Sequence, residues 1–267
     1  MVSTRSAART RLHWEIWIVL ALAILPSSVS AIVALLETSL QHATLGDGVQ
    51  QINPTTSTFP IVDLLRRLNW IAASLAPVAL AIWLLWTRHE SGFHRLGIDW
   101  RGPQQLGRDC IRGAALAAII GIPGLALYAV SRLVGMTPQV VTSDASLTAT
   151  QITLLVIAAL RAALLEEIVV VGYLTVRLQA LGWSMWKIIA VSALLRGSYH
   201  LYQGAGMALG NVAMGVLFAW LFLRGSRRDT FAKRQRLAPL IIAHFTLDCV
   251  AFLGYPICLL YTSDAAD

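Results

Sequence analysis

Two adjacent carboxylates, Glu166 and Glu167, lie inside an apolar run that is typical of a membrane helix. On insertion scales an acidic side chain at the centre of a spanning helix costs roughly 2.5–3.5 kcal/mol, so the pair must face protein, water or a partner rather than lipid. Successive residues of a helix point about 100° apart, and the two side chains therefore cannot share one direction. One glutamate can line a cavity while the other makes a structural bond.

Imidazole groups occur in two later apolar runs. His244 and Asp248 are four residues apart, which places them on one face of a helix about one turn from each other. Arg196 and His200 have the same spacing, and we expect them to share a face of another helix. Three helices that each carry polar groups need a common interior to keep those groups out of lipid. The sequence therefore predicts one wet cavity inside a helical bundle.

A carboxylate and two imidazoles in one cavity are sufficient for hydrolysis of a peptide bond. The carboxylate can take a proton from water, one imidazole can orient that water or protonate the leaving amine, and the other can donate a hydrogen bond to the oxyanion. The same groups are good ligands for a divalent metal ion, so the residue types alone leave both chemistries open. A thiolate zinc site or a disulfide framework is disfavoured, because no CxxC pair and no Cys/His pattern is formed by the three cysteines, Cys110, Cys249 and Cys258.

Each of these polar groups also has a structural interpretation. A single intramembrane histidine such as His200 is more often a hydrogen-bonding group between helices than a catalyst, and Asp248 can simply hold His244 in place. For Glu167 we favour an internal salt bridge over a catalytic role, and the candidate partners are Arg161, Arg177 and Arg196. The catalytic interpretation is favoured by the order of these groups along the chain. A glutamate pair, a histidine and a His-xxx-Asp spacing follow one another on three apolar runs.

The composition is that of an integral membrane protein. Of the 267 residues, 57% are hydrophobic and 13% are charged, whereas soluble domains contain about 25% charged residues. The sequence pI of about 9.8 does not indicate nucleic-acid binding, because the basic residues fall in the gaps between apolar runs, as orientation signals do. We therefore expect the lipid bilayer and a membrane-associated peptide or protein as partners, and no nucleic acid. The oligomeric state is left open.

The apolar runs predict an all-α, polytopic bundle of about seven transmembrane helices in the cytoplasmic membrane. The spans are expected at Ile16 to Leu36, Leu68 to Trp86, Ala114 to Val130, Ile152 to Leu174, Ile188 to Tyr202, Met207 to Leu223 and Leu237 to Ile257. With the N-terminus in the cytoplasm the large basic loops all lie inside, and only Arg66-Arg67 oppose the rule. A cleaved signal peptide is the alternative for the first run, but that run reaches the roughly 20 residues that a bilayer requires. Residues 1–257 are expected to form one domain, with the motif-bearing core at 148–254.

The last ten residues, 258–267, look foreign to the rest of the chain. They abruptly end an apolar helix, and they resemble a translated sequencing-library adapter. We interpret them as a non-native tail. We expect the natural protein to continue past Ile257, into an eighth span.

Three segments of the chain resemble the motifs of a known family, the CPBP family of intramembrane glutamic proteases. The similar segments are Glu166-Glu167 with Gly172-Tyr173-Leu174, then Tyr199-His200, and then His244-Phe245-Thr246-Leu247-Asp248. The family contains the CAAX prenyl endopeptidases and the bacterial abortive-infection membrane proteins, and the resemblance covers about Thr148 to Gly254. It implies a multi-helix bundle with a catalytic cavity open toward the cytoplasm, and it implies neither a metal nor another cofactor.

Carried over residue by residue, the resemblance makes Glu166 the base that activates water. It makes His200 the partner of that base in handling the proton. His244, with Asp248, would line the oxyanion side, and Glu167 would support the site.

Two positions depart from the motifs of the family. The first motif usually carries an arginine just before the glycine, where this chain has Val171. Either the site is altered or the charge is supplied from elsewhere, by Arg161, Arg177 or Arg196. Many members have asparagine where this chain has Asp248, and an ionised aspartate accepts hydrogen bonds but cannot donate one. Either burial keeps Asp248 protonated, or Asp248 orients His244 and His244 alone serves the oxyanion. We favour the second, because an ionised partner would fix the tautomer of His244 and favour its charged, donating form.

The sequence thus predicts a metal-independent intramembrane endopeptidase that uses Glu166 and His200. One alternative is a zinc-dependent membrane protease with His200, His244 and Glu166 as ligands, although the chain lacks the HExxH helix signature. A second is a catalytically degenerate scaffold or immunity protein of the same fold, which Val171 favours. A third, a proton- or solute-coupled transporter, is disfavoured because broken helices in corresponding halves are not apparent in the sequence.

Overall fold

The computed structural model describes residues 2–41, 44–142, 148–226 and 236–263, and these are mostly helical. In these ranges the α-helices are α1 (Val2–Ala23), α2 (Leu25–Gln41), α3 (Pro60–Leu85), α4 (Gly92–Leu96), α5 (Pro103–Leu133), α6 (Ala149–Glu166), α7 (Leu174–Ala180), α8 (Met185–Ser198), α9 (Ala205–Ser226) and α10 (Ala238–Ser263). A π-helical segment, Glu167–Tyr173, joins α6 to α7. Two short strands, β1 (Val49–Ile52) and β2 (Gln139–Thr142), complete the fold.

Several of these helices can cross a membrane. Among the described residues, α3, α5 and the stretch Ala205–Gly225 of α9 are long and apolar enough, and α1 with α2 makes a fourth span if the bent pair counts as one. This agrees with an all-α bundle in a membrane. The count of seven spans stays a prediction, because α8 has only 14 residues and α6 continues into the π segment rather than as a regular helix.

The first apolar run, for which the sequence predicts one span from Ile16 to Leu36, is bent in the structure. The axes of α1 and α2 differ by 51° at the break between them. Backbone hydrogen bonds continue through the bend, from Ile24 N to Leu20 O at 2.9 Å and from Ser28 N to Ile24 O at 3.0 Å. Pro26 explains the bend, because proline has no N–H to donate and its ring crowds the preceding turn.

A small parallel ladder joins two segments that lie between predicted spans. Val49 pairs with Gln139, and the register continues to Ile52 opposite Thr142. Arg132 ties the same loops together, because its Nη1 donates to the Gly46 carbonyl at 2.6 Å and to that of Thr137 at 2.9 Å. The all-α prediction is therefore correct for the bundle but omits this ladder, whose four-residue strands are too short to give a pattern.

The π segment places the wide turn of its helix directly after Glu166. Its geometry is seen at the C-terminal end, where Leu174 N donates to Val169 O, five residues back. Two side chains donate hydrogen bonds to backbone carbonyls of the π segment. Ser192 Oγ of α8 donates to Val170 O at 3.1 Å, and Thr175 Oγ1 donates to Val171 O at 2.5 Å. Such single π turns inside α-helices often occur at functional sites.

Glycines allow α8 and α9 to pack closely. A Cβ atom added at Gly215 of α9 would lie 2.8 Å from Ala193 Cα and 3.3 Å from Arg196 Cδ, and one at Gly197 of α8 would collide with Val212. Small residues at helix interfaces are a general device of membrane proteins, because they let backbones approach. The consequence here is that α8 carries Arg196 into the centre of the bundle.

The last helix includes part of the predicted foreign tail. The backbone of α10 is helical to Ser263, so it does not end at Ile257. Residues 264–267 lie outside the described residues. The non-native origin of 258–267 stays a prediction.

Candidate active site

Three side chains from three elements form a buried cluster, which consists of Glu167, Arg196 and His244. Arg196 Nη1 donates to Glu167 Oε1 at 2.7 Å, and His244 Nδ1 lies 2.8 Å from the same oxygen. The three residues are 0%, 0% and 4% exposed. Burying charges this deeply is costly unless they are paired, and here each charge has a partner.

The hydrogen-bond roles in the buried cluster follow from the distances. His244 Nδ1 is also 3.1 Å from Arg196 Nη2, but a ring nitrogen that donates to a carboxylate cannot accept from a guanidinium at the same time. The contact with Glu167 is shorter and its acceptor is charged, so we assign the proton to Nδ1. This assignment leaves His244 Nε2 directed at the other carboxylates.

Glu166 lies beside the buried cluster and is partly exposed. Its Oε2 accepts a hydrogen bond from the Tyr199 hydroxyl at 3.0 Å, lies 3.4 Å from Arg196 Nη2 and is 3.9 Å from His244 Nε2. All three contacts involve the same oxygen. The carboxylate is therefore held by one oxygen, and Oε1 is the atom that these contacts leave for water or substrate.

Asp248 lies one turn beyond His244 on α10. Its Oδ2 is 3.5 Å from His244 Nε2, and 21% of its side chain is exposed. Carboxylates thus face both ring nitrogens of His244, so an N–H on either nitrogen has an acceptor. The role of Asp248 in orienting His244 stays a prediction.

His200 is not on the helix that carries Arg196, contrary to the expectation from their spacing. Helix α8 ends at Ser198, and His200 precedes a short 3-10 turn, Leu201–Gln203. Its Nδ1 donates to the Arg196 carbonyl at 3.0 Å, which satisfies one of the carbonyls left unpaired at a helix end. Nε2 is thereby left as the ring nitrogen that can exchange a proton. The ring is close enough to Glu166 for an electrostatic interaction between them.

The partly exposed residues define an open side of the site, which consists of Glu166, His200 and Asp248. The buried cluster lies behind them. The polar groups of three chain segments thus meet at one place, with Glu166 and His244 in direct range and His200 and Asp248 at the edges.

The structure also selects among the arginines. Arg196 is the partner of Glu167. Arg177 instead binds Glu15 of α1 at 2.7 Å and the Leu84 carbonyl at 2.6 Å, where it fastens α7 to α1 and α3. Arg161 stacks over the ring of Trp70. Of the three candidates for the charge missing at Val171, Arg196 is the one in contact with both glutamates.

Tyr199 is the site residue that sequence reasoning missed. A tyrosine in an apolar run is most often a packing or interface residue, and the second motif, Tyr199-His200, includes Tyr199 without giving it a role of its own. Its position directly before His200 was the available signal. In the structure Tyr199 is 6% exposed and its hydroxyl is bound to Glu166.

In a comparison with known protein families, residues 148–250 match one family model. The family whose model matches this segment is described as Type II CAAX prenyl endopeptidase Rce1-like. The segment covers less than half of the chain but includes all three motif regions, and it confirms the resemblance to the CAAX proteases. No curated protein and no solved structure matches the chain. The apolar helices and this match indicate an integral membrane protein, and the matched segment is similar to a family of peptide hydrolases.

Proposed function

We propose that the protein is a metal-independent intramembrane endopeptidase in which Glu166 activates water. The observation that carries the proposal is the fixing of Glu166 Oε2 by the Tyr199 hydroxyl, with Arg196 and His244 close by. Oε1 is then available on the open side to accept a proton from water. Its nearest catalytic partners, His200 and His244, come from two other chain segments.

The proposed reaction moves one proton from water to the leaving amine, by way of Glu166 and His200. Water bound at Glu166 Oε1 gives its proton to the carboxylate, and the hydroxide adds to the carbon of the scissile carbonyl. The oxyanion that forms accepts a hydrogen bond from Nε2–H of His244, which in this mechanism is protonated on both ring nitrogens and is held in place by Asp248 and Glu167. Collapse of the intermediate breaks the C–N bond, and the proton passes from Glu166, by way of His200 Nε2, to the leaving amine.

Arg196 is the main support for a mechanism without a metal. Its guanidinium lies 3.4 Å from Glu166, 2.7 Å from Glu167 and 3.1 Å from His244. The zinc alternative has Glu166, His200 and His244 as ligands, and a divalent ion bound by them would be repelled by this fixed positive charge, which already lies against two of them. The zinc alternative predicts that a chelator abolishes cleavage, and our proposal predicts that it does not.

The substitution Glu166→Gln tests the proposal directly. Because glutamine cannot take up a proton, we expect cleavage of membrane peptides to fall by about 10²–10⁴-fold, the range typical for loss of a general base. The measurement is quantitative mass spectrometry of peptides released by purified protein in lipid nanodiscs. Glu37→Gln is the matched control, because Glu37 is exposed on α2 and its substitution should change nothing. Full cleavage by Glu166→Gln would refute the assignment of the base.

A second function, peptide binding without cleavage, is favoured by Val171. This residue is 0% exposed and apolar at the position where the family motif usually has arginine. If the wild-type protein releases no peptides and Glu166→Ala still supports the cellular function, the protein is a binding scaffold. Cleavage that depends on Glu166 decides against the scaffold.

We also propose that the N-terminus lies in the cytoplasm and that the chain crosses the cytoplasmic membrane about seven times. Three contacts support the view that the basic segments lie at the same end of the helical bundle. Arg9 Nη2 donates to the Leu181 carbonyl at 3.2 Å, next to the α7–α8 turn. Leu237 N donates to the Leu96 carbonyl at 2.9 Å, and Arg177 donates to Leu84 at the end of α3. Basic segments gathered at one end are typical of the cytoplasmic side.

A further inference from the structure

One side of helix α5 is exposed and apolar along most of its length and ends in two arginines. The exposed side chains recur at intervals of three and four residues, so they form one stripe along the helix. Arg108 and Arg112 are the first two members of this stripe, near the start of α5. Its apolar members follow at Ala115, Ile119, Ile122, Ala126, Val130 and Leu133. We call these eight residues the outer stripe of α5.

The outer stripe faces away from the bundle. The other side of α5 packs closely against α10, because a Cβ atom added at Gly113 would collide with Ile242, and one at Gly121 would lie 2.9 Å from Leu247 Cδ2. Gly113 follows Arg108 by five residues, which is about 140° around the axis of the helix. The outer stripe is therefore directed away from α10, toward lipid.

The length of the apolar part of the outer stripe matches a bilayer. From Ala115 to Leu133 the helix rises about 27 Å at about 1.5 Å per residue, and the hydrocarbon core of a bilayer is about 30 Å thick. Arg112 then lies at the edge of the hydrocarbon, and Arg108 lies about 6 Å farther out, at the depth of the headgroups. Trp100, which precedes α5, is 72% exposed, and tryptophan is enriched at this level of a membrane.

The two arginines of the outer stripe have no protein partner in the ranges that the structure describes. Neither guanidinium donates a hydrogen bond or forms an ion pair there, whereas Arg101 binds Asp99 at 2.7 Å. Asp109 follows the first of them in sequence, but it is buried on the other side of α5, where Arg236 binds it at 2.6 Å. Two guanidinium groups one turn apart therefore keep their donors and their charge for a ligand.

The phosphate of a phospholipid fits this arrangement. A guanidinium binds phosphate oxygens through two parallel N–H donors. A free phosphate would contact the arginines alone, whereas a lipid also places its acyl chains on the apolar part of the outer stripe. A zwitterionic headgroup carries a cation of its own, so a headgroup with a net negative charge is attracted more strongly.

We propose that Arg108 and Arg112 bind the phosphate of an anionic phospholipid whose acyl chains lie along the outer stripe of α5. The bound lipid would fix the depth of α5 in the bilayer. This site lies on the outside of the bundle and needs no cleavage activity, so it goes beyond the proposed function and does not depend on it.

Lipid binding to the purified protein is measured by native mass spectrometry, as the Kd of the first bound lipid. The probes are phosphatidylglycerol and phosphatidylcholine with the same acyl chains, and we expect the wild type to prefer phosphatidylglycerol at least fivefold. The double variant Arg108→Gln with Arg112→Gln should bind phosphatidylglycerol about 25-fold more weakly, because each cation near an anionic surface contributes roughly fivefold. Arg108→Lys with Arg112→Lys keeps both charges and should stay within threefold of the wild type.

The matched control is the double variant Arg11→Gln with Arg88→Gln. It removes the same charge from two exposed arginines outside α5, and its Kd for phosphatidylglycerol should stay within twofold of the wild type.

Four outcomes overturn the proposal. Equal affinity of the wild type for the two lipids would show that the headgroup charge is not recognised, and equal losses in the two glutamine double variants would show that only the net charge matters. A lysine double variant as weak as its glutamine counterpart would attribute the loss to altered packing of α5. Displacement of the bound lipid by excess inorganic phosphate would identify a free anion as the ligand.

Discussion

The hydroxyl of Tyr199 binds one of the two oxygens of Glu166, Oε2. A carboxylate can rotate, and without a fixed donor either oxygen could turn toward Arg196. The hydrogen bond of 3.0 Å to Oε2 adds to the attraction of Arg196 for the same oxygen, and in the proposed mechanism Oε1 is then left for water. Tyr199 therefore acts through Glu166, as a positioning residue.

The substitution Tyr199→Phe removes only this hydroxyl. Hydrogen bonds to charged groups contribute roughly 1.5–3 kcal/mol, so we expect kcat to fall about 10- to 100-fold while KM stays within threefold. Tyr202→Phe is the control, because the Tyr202 hydroxyl binds Gln203 instead. Steady-state cleavage kinetics of both variants in nanodiscs provide the measurement. Equal losses in the two variants, or an unchanged kcat in Tyr199→Phe, would contradict the positioning role.

At the residue scale, sequence reasoning identified the polar groups but not their pairing. The salt bridge of Glu167 was predicted, yet its partner was one of three arginines. Arg196 is 29 residues away along the chain, and only the packing of α8 against α9 brings it to the glutamates. Pairing inside a bundle is a property of the tertiary structure, which residue spacing within one helix does not reveal.

At the element scale, the distance between α8 and α9 controls the position of Arg196. The Gly215→Ala substitution adds a Cβ that would meet backbone Ala193 Cα at 2.8 Å, and a backbone atom cannot move aside as a side-chain end can. Overpacking typically costs about 1–3 kcal/mol, which exceeds the gain of up to about 1 kcal/mol from the higher helix propensity of alanine. We expect a lower thermal midpoint in detergent and reduced cleavage as Arg196 shifts.

Gly124→Ala is the matched control for this prediction. It is the same substitution inside helix α5, and the added Cβ would meet no atom within 4 Å. Only the propensity gain remains, so the thermal midpoint should stay equal or rise. A midpoint for Gly215→Ala that equals that of Gly124→Ala would show that the α8–α9 contact can relax.

The elements differ from the sequence prediction where backbone chemistry overrides the apolar pattern. The hydropathy pattern is one continuous apolar run from Ile16 to Leu36, but Pro26 bends the helix within this run. The spacing of Arg196 and His200 predicts a shared helix face, but the helix ends at Ser198 and His200 caps it instead. An apolar pattern indicates which residues avoid water, but it does not indicate where the backbone hydrogen bonds of a helix end.

At the scale of the whole molecule, one end of the bundle is fastened by ion pairs and the other by the β ladder. Arg236 binds Asp109 at 2.6 Å and lies 3.5 Å from Asp99, which joins the start of α10 to α5 and to the α4–α5 connection. The proposed orientation puts this charged end in the cytoplasm and the β1–β2 ladder outside. The segments that flank α3 then lie on opposite sides of the membrane.

Cysteine labelling at the two flanks of α3 tests this orientation. Thr58 precedes the helix and His89 follows it, and both residues are exposed. In a background with Cys110, Cys249 and Cys258 replaced by serine, Thr58→Cys should react with a membrane-impermeant maleimide in intact cells. His89→Cys should react only after permeabilisation, because the basic segment that contains it is retained in the cytoplasm. The reverse pattern would invert the topology, and labelling of both sites in intact cells would show that α3 does not cross the membrane.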